Sequence, residues 1–508
     1  MLTVTNGKSQ DWENMPLDDL AFGNAMDCDF TLRSYHILRK EMKKTKVNLV
    51  YDNLLKDILV ILGLVENTGI KVDSEYLKTL DVALQKEVKR LEETIEKLSP
   101  VDDINPRSTQ QMAEVLFTSD GFDLTPQEFS AKTKIPKISE AHLSKVLEDG
   151  LDKNAKEFIE SLLKYKYRVK QHRTYVKGVQ DALEYNEDGR IYSNYNFATV
   201  VTGRLSCSAS DAGKGKRKGV SFHTLPREDE EGGDINIRNL MQSDNETKAF
   251  LAADFSQAEL RVLAQCCKDE NLIKAFTEGE DLHKFTASLV FGKSIEEVTK
   301  QERQIAKSVS FLIVYGGGPF KLAEQVGKSV GYCKNIFKSY QDAFPKVFSW
   351  IQQVHKFIRA NGYAVSLFGR RRHLPNVNSP IKKYQYRALR QGMNFVIQSS
   401  ASDLMLHSIK RLHKYNEALG LGMDILATVH DSVEVQCDLD KVEKCTETLK
   451  YVLSTTEDFK DMYNIDFVVP FEVDIEAGTS FGNLTDAEFG ANGHLLNAKE
   501  IKEFITHV

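Results

Sequence analysis

The chain has no CxxC pair, no internal repeat, no secretory leader and no apolar run long enough to span a bilayer. Its seven cysteines are odd in number and scattered. That excludes a disulfide framework and predicts reduced thiols in a cytoplasmic compartment. With no leader or span visible, no membrane partner is expected. A glycine-rich phosphate loop is missing too. Gly327-Lys328-Ser329 and Gly292-Lys293-Ser294 have Leu322 and Ala287 where such a loop needs its first glycine, so the chain does not read as a P-loop ATPase. Nor is positive charge in excess: 67 Lys and Arg against 73 Asp and Glu give a formal net charge of -6. On average composition this disfavours a nucleic-acid partner, but phosphate binding needs a local basic track, not a basic mean. What is present, 41% hydrophobic and 28% charged residues over 508 positions, suits a soluble globular protein with several domains and a large core.

Three stretches carry chemistry. Arg303, Lys307, Phe311 and Tyr315 fall at every fourth position and therefore line one slowly spiralling stripe of a helix. Gly316 to Gly318 close it. Two cations followed by two rings suit a flexible polyanion attached to a flat ring, which describes a nucleoside triphosphate. An amphipathic helix without a ligand has the same spacing. In the second stretch, an apolar run ends at Asp254 and a helical pattern with Leu260, Leu263 and Ala264 begins. A carboxylate where a buried strand emerges is a favourable seat for a divalent metal, and equally an ordinary cap. In the third, β-type runs from Ile425 to Gln436 flank His430-Asp431, predicting a tight hairpin with Asp431 near its tip. A turn acid alone has that pattern too.

Together these stretches resemble the signature motifs of the family A DNA polymerases, the DNA polymerase I group. Asp254-Phe-Ser-Gln-Ala-Glu-Leu-Arg261 resembles the first palm motif, Arg303 to Gly316 the fingers motif, and His430-Asp431 the second palm motif, in the family's order. The resemblance implies an α+β right hand with a helical thumb, a β-sheet palm and helical fingers. It places an exonuclease-like remnant in 1–46, the thumb in 47–185, the palm in 186–265 and 403–508, and the fingers in 266–402. It implies template-directed extension of a primer 3′-hydroxyl with deoxynucleoside triphosphates, with release of pyrophosphate, in DNA replication. Asp254, Asp431 and the backbone carbonyl of Phe255 would hold two Mg2+ ions, with Mn2+ as an alternative. Arg303 and Lys307 would bind the triphosphate, and Lys307 would also protonate the leaving group. Phe311, Tyr315, His283 and Gln257 would complete the nucleotide site, and Glu259 would exclude a ribose 2′-hydroxyl. Arg204, Arg390, Asn394, Gln398 and His430 would contact primer-template DNA. Phe311, where some relatives carry Tyr, implies poor use of dideoxynucleotides.

The remaining segments fill in the outline. Asn24 to Arg33 resembles the last helix of the family's proofreading domain, whose other parts are missing; Asp11-Trp12-Glu13 reads as a chance Asp-x-Glu. The chain is thus expected not to proofread, a separately encoded exonuclease or processivity factor being a candidate partner, and to come from a bacteriophage or bacterium. Leu77, Leu80, Leu84, Val88, Leu91, Ile95 and Leu98 predict an intramolecular helix pair, and Ser108 to Gln111 a capping box. Lys164 to Lys177 interleaves Lys166, Arg168, Lys170 and Arg173 with tyrosines and is expected to meet duplex phosphates. Asp188-Gly189 predicts a hairpin turn. Thr202-Gly203-Arg204-Leu205-Ser206 resembles another family motif, and the Gly213–Gly219 stretch reads as a basic loop on nucleic acid or a solubilising one. Gly369 to Pro375 resembles a segment that holds template and primer, and 483–508 reads as a partner-binding tail or an extra packed helix. One departure stands out: the family commonly has Glu after His-Asp, and here the residue is Ser432. Glu434 points to the same side of the strand, roughly 6–7 Å further on. The competing readings are a single-subunit RNA polymerase and a catalytically silent primer-template binding module.

Overall fold

The computed structural model describes residues 15–147, 150–209, 218–226, 235–278 and 281–507. Eight strands form its central sheet: β1 (Ile70–Val72), β2 (Arg190–Ile191), β3 (Met241–Gln242), β4 (Lys248–Phe255), β5 (Asp424–Val429), β6 (Ser432–Asp438), β7 (Val473–Ser480) and β8 (Asn483–Asp486). Their order is β2-β1-β3-β7-β4-β6-β5, with β8 also on β7, and every pairing is antiparallel. β4 lies in the middle, which is why it reads as an almost unbroken apolar run: a strand covered on both faces can carry few polar side chains. Beyond Lys248 at its start, the exposed position on β4 is Asp254. Ser432 of β6 pairs with it on one side and Asp474 of β7 on the other. The apolar face of the sheet, with Leu251, Ala253, Val433, Val435, Ile475 and Ala477, joins one large core.

Ten helices matter for the site and its surroundings: α1 (Leu17–Thr45), α2 (Lys56–Thr68), α3 (Ser74–Leu98), α4 (Lys153–Lys170), α5 (Ala258–Cys267), α6 (Leu282–Phe291), α7 (Lys300–Val314), α8 (Lys382–Leu419), α9 (Val442–Ser454) and α10 (Ala498–His507). The expected mixed α and β architecture is present. The thumb expected over 47–185 divides, however. Ile58, Ile61, Leu62 and Val65 of α2 belong to the core of the sheet, and β1 is one of its strands. Gly69, at φ 63, turns α2 directly into β1. The predicted stripe on α3 is buried from Leu77 to Ile95. Its first half packs with the sheet, and its second half joins Met112, Leu116, Phe158, Leu162 and Tyr165 in a separate helical core. α3 thus pairs with α4 inside the chain, each buried Leu or Ile contributing about 1.5–3 kcal/mol over an exposed one.

Other local expectations change in the fold. Ser108 does accept the Gln111 amide, but Gln111 reaches back to the Asn105 amide, so the box closes one turn earlier than predicted. Lys166 is turned inward onto the Ile138 carbonyl, and Arg168 is buried against Gln171 at 2.8 Å. Lys170 and Arg173 stay exposed, so only part of that run faces solvent. Asp188-Gly189 joins a helix ending at Tyr185 to β2 and makes no hairpin. Arg370 of the Gly369–Pro375 segment is bound to the fully buried Asp403 at 2.6 Å, which makes it an anchor. α1 has no buried side chain and is held near its end by Arg39 on Asp52, 2.9 Å away. Asp11 to Glu13 and Gly213 to Arg217 lie outside the described residues. The segment after Asn483 continues the sheet as β8 and ends in α10, whose Ile501 and Ile505 are buried, so the packed-helix reading holds. His494 in this segment binds Glu447 of α9, with Glu443 3.9 Å away.

Candidate active site

The site is built on two chain reversals beside β4. Gln257, at φ 57, swings the chain out of β4 and into α5, which puts Asp254 before the bend and Glu259 on the first turn after it. Arg261 fixes that bend. It is 3% exposed, and its guanidinium donates to the carbonyls of Ser256 (2.8 Å) and Pro470 (2.6 Å) and to Glu472 (2.6 Å). The second reversal is the predicted hairpin. β5 and β6 are joined through His430-Asp431, with Val429 opposite Ser432. His430 adopts φ 59, a left-handed conformation that few non-glycine residues take up. Its ring rests on His223 at 4.8 Å. The Phe255 amide donates to the Asp431 carbonyl at 3.1 Å, so the hairpin tip is tied to the end of β4. Asp254 and Asp431, far apart in sequence, are thereby brought to one cleft of about 710 Å³ together with Ser432, Glu434, Glu476, His223 and Arg238.

α7 supplies the cationic and aromatic wall. Thr299 and Glu302 close a reciprocal capping box at its start, and Gly316, at φ 66, ends it. A Cβ on Gly316 would lie 2.3 Å from Cγ of Arg390, so only glycine fits there. Ile305, Ala306, Val309, Leu312 and Ile313 are buried, while Arg303, Lys307, Phe311 and Tyr315 keep some exposure. The predicted stripe is therefore the open face of a helix whose other side is core. Arg303 is steered by Asp281 at 2.7 Å, and Asp281 also caps α6. His283 on α6 is 4% exposed with its ring 6.1 Å from Phe311.

A polar chain joins the hairpin to α7. Arg204 contacts Glu259 at 2.5 Å and Asp431 at 3.9 Å. Glu259 is 6% exposed; burial raises its pKa, and Arg204 and Tyr315 oppose that rise. The Tyr315 hydroxyl interacts with Glu259 and Gln398, its own pKa being pushed up to about 12 chiefly by burial. Glu259 Oε2 has no hydrogen bond of ordinary geometry. Arg390, Asn394 and Gln398 lie every fourth position along α8, which sets the predicted DNA-contacting residues on one row beside Tyr315 and Gly316. A second cavity, of about 570 Å³, lies among Trp350, Phe357, Cys266 and Asp466 and contains none of these groups.

Sequence reading missed His223, Arg238 and Glu476. His223 has a structural reason to be there. β5 is an edge strand, and its Thr428 carbonyl accepts from His223 Nε2 at 3.0 Å while its amide donates to Tyr195 at 3.1 Å. Glu476 was legible in the alternation Val473-Asp474-Ile475-Glu476-Ala477, buried and exposed by turns. Burial also has a consequence for acid stability. It lowers His223 and His283 from 6.5 to about 4 and His407 to about 3. The unfolded chain takes up these protons as pH falls below 6.5, whereas the folded chain resists until about 4. Stability from these groups is thus complete above pH 6.5 and is lost progressively below it. The urea midpoint is expected to be lower at pH 5 than at pH 7; an equal midpoint would show that these rings protonate freely.

The model of DNA polymerase family A matches residues 74–483. The chain belongs to DNA polymerase family A. DNA polymerase I of Borreliella burgdorferi is 29% identical over 477 residues, covering 94% of this chain and 49% of that protein. The thermostable DNA polymerase I of Thermus thermophilus is 30% identical over 451 residues, covering 88% and 50%. The chain thus spans about half the length of the relatives it matches. The fold is similar to the polymerase domain of Pol1 from M. smegmatis, solved with a DNA primer-template and a dNTP, at TM-score 0.76 and 26% identity, covering 88% of this chain and 73% of that one. The family match begins near the start of α3 and ends at the first residue of β8, so it includes every residue placed around the cleft above.

Proposed function

We propose that this chain is a DNA-directed DNA polymerase that extends a primer 3′-hydroxyl with deoxynucleoside triphosphates, acting in replication in the cytoplasm of a bacterial or phage-infected cell. The observation that carries the reading is the meeting of Asp254 and Asp431 at one cleft, joined through Arg204 and Glu259 to the cationic and aromatic face of α7. The donor set fits Mg2+, with Mn2+ as substitute: the carboxylates of Asp254 and Asp431 and the carbonyl of Phe255 offer hard oxygens only, on two reversals that the backbone ties together. When bound, such ions supply activation of the 3′-hydroxyl and neutralisation of the departing pyrophosphate.

The protein's own groups do the rest. Arg303, oriented by Asp281, grips the phosphates, and Lys307 one turn on shares their charge and gives a proton to the departing oxygen. Buried His283 stays neutral near both cations and presents a donor without adding charge. Phe311 packs on the sugar and base. Tyr315, at the open end of the helix, stacks beside the templating position. Glu259 fills the space of a 2′-hydroxyl, and Gln257 lines the same pocket. Arg204 and Gln398 read the minor-groove edge of the newest pair, and Arg390, Asn394 and His430 hold the strands. A separate exonuclease or processivity factor is a candidate partner, and no helix of the described residues is long and apolar enough to cross a membrane.

Extension of a labelled primer with Mg2+ tests the reading. Full-length product with deoxynucleotides is expected, with no degradation of a mispaired 3′ end. Product with ribonucleotides alone would favour an RNA polymerase. Tight primer-template binding without extension would favour a silent binding module.

A further inference from the structure

The cleft contains a carboxyl group that the reaction has not used. Glu434 is 1% exposed, lines the same cleft as Asp254 and Asp431, and has one oxygen, Oε2, buried with no hydrogen-bond partner. Its other oxygen, Oε1, lies 2.5 Å from Ser432 Oγ. Ser432 pairs directly with Asp254 across the sheet, and Glu434 pairs with Ala252 on the same face. An extended Glu434 would stand over Ala252, one side-chain row away, roughly 6–7 Å along the strand. The contact with Ser432 instead folds its carboxyl back toward the Asp254 row.

An acid in this position is hard to explain as packing. The other residues on this face of β6 are polar and each has a partner: Ser432 Oγ bonds the Val429 carbonyl, and Asp438 pairs with Lys248. Gln436, the next on that face, is held by Asp244 and Asp424. Burial pushes Glu434 up to about 8, Asp254 adds to the rise, and Ser432 and the charge of Arg238 oppose it. A carboxyl oxygen that lacks a hydrogen bond, in one cleft with other carboxylates, is stabilised by a cation shared with them.

We propose that Glu434 is a third carboxylate for the divalent cation held by Asp254 and Asp431, and that Ser432 is the positioning residue that aims it. This rests on reading the two aspartates as a cation site. Ser432 then replaces an acid at its own position with an aiming hydroxyl, and the acid itself comes from two residues further along the strand. The preferred ligand is a hard divalent ion, Mg2+ or Mn2+, since every donor is a carboxylate or carbonyl oxygen.

The test measures binding without turnover. The full chain is assembled with a dideoxy-terminated primer-template and the matching deoxynucleotide, and Mn2+ is titrated by electron paramagnetic resonance. Glu434→Gln keeps the side-chain volume and is expected to weaken Mn2+ binding at least about tenfold, as loss of a supporting ligand does. The double variant Ser432→Glu/Glu434→Gln, which moves the carboxyl one row, is expected to recover affinity. Wild-type affinity in Glu434→Gln together with weakened binding in Asp431→Asn would overturn the proposal and leave the aspartate site standing. Unchanged binding in Asp431→Asn would overturn the cation site itself. Should Glu434→Gln fold poorly by circular dichroism, Ser432→Ala decides: weaker Mn2+ binding supports the aiming role, and unchanged binding overturns it.

Discussion

Asp431→Asn is expected to lower single-turnover nucleotide incorporation by on the order of 10³-fold or more while primer-template affinity stays close to that of the parent. The substitution is nearly isosteric, and the turn does not depend on the charge. The left-handed residue is His430, and the tie to β4 uses the Asp431 backbone carbonyl, not its carboxylate. The side chain is 29% exposed and its nearest cation, Arg204, stands 3.9 Å off, so the pair adds little to folding. What the variant removes is one negative charge at the cleft. Rapid-quench measurement of one incorporation, with fluorescence anisotropy for DNA binding, separates the two quantities. A loss below tenfold would mean that Asp431 is a turn acid and that the chemistry is organised elsewhere. Asp438→Asn, at the far end of β6 and paired with Lys248 at 2.8 Å, is the matching control and is expected to leave the rate unchanged.

The parts of the site legible in the sequence were those set by spacing along one element. The stripe on α7 needed only a helical period, the exposed Asp254 only the end of an apolar run, and the hairpin only two β-type runs around a dipeptide. What spacing cannot show is which side a tertiary neighbour occupies. Lys166 and Arg168 look like the rest of their basic run, yet a loop carbonyl and Gln171 draw them inward. Arg370 looks like its neighbours Arg371 and Arg372, but Asp403, buried on α8, takes it. The division of 47–185 was hidden for the same reason: α2 and α3 are both amphipathic helices, and only the pairing of three-residue β1 shows that this part of the chain belongs with the sheet. Glu434 is the sharpest case. Its side of the strand followed from alternation, but its burial and its turn toward Asp254 depend on Ser432 and on β4 beside it.

Glu259→Ala is expected to reduce discrimination against ribonucleotides by on the order of 10²-fold, and Glu259→Gln much less. The comparison separates two jobs that the carboxylate combines. Its bulk, 6% exposed at the first turn of α5, occupies the space a 2′-hydroxyl needs, and glutamine keeps that bulk. Its charge holds Arg204 at 2.5 Å and engages Tyr315, and glutamine gives that up. If volume sets sugar choice, incorporation ratios for paired ribo and deoxy substrates change in the alanine variant and stay near the parent in the glutamine variant. Loss of the charge has its own signature, because Arg204 is left with Asp431 as its closest acid. Both variants are therefore expected to incorporate the correct deoxynucleotide more slowly, Arg204 being drawn toward the carboxylate that the reaction needs. Equal loss of sugar discrimination in the two variants would mean that Glu259 governs sugar choice through Arg204 and Tyr315, by fixing the open end of α7, and not by filling space.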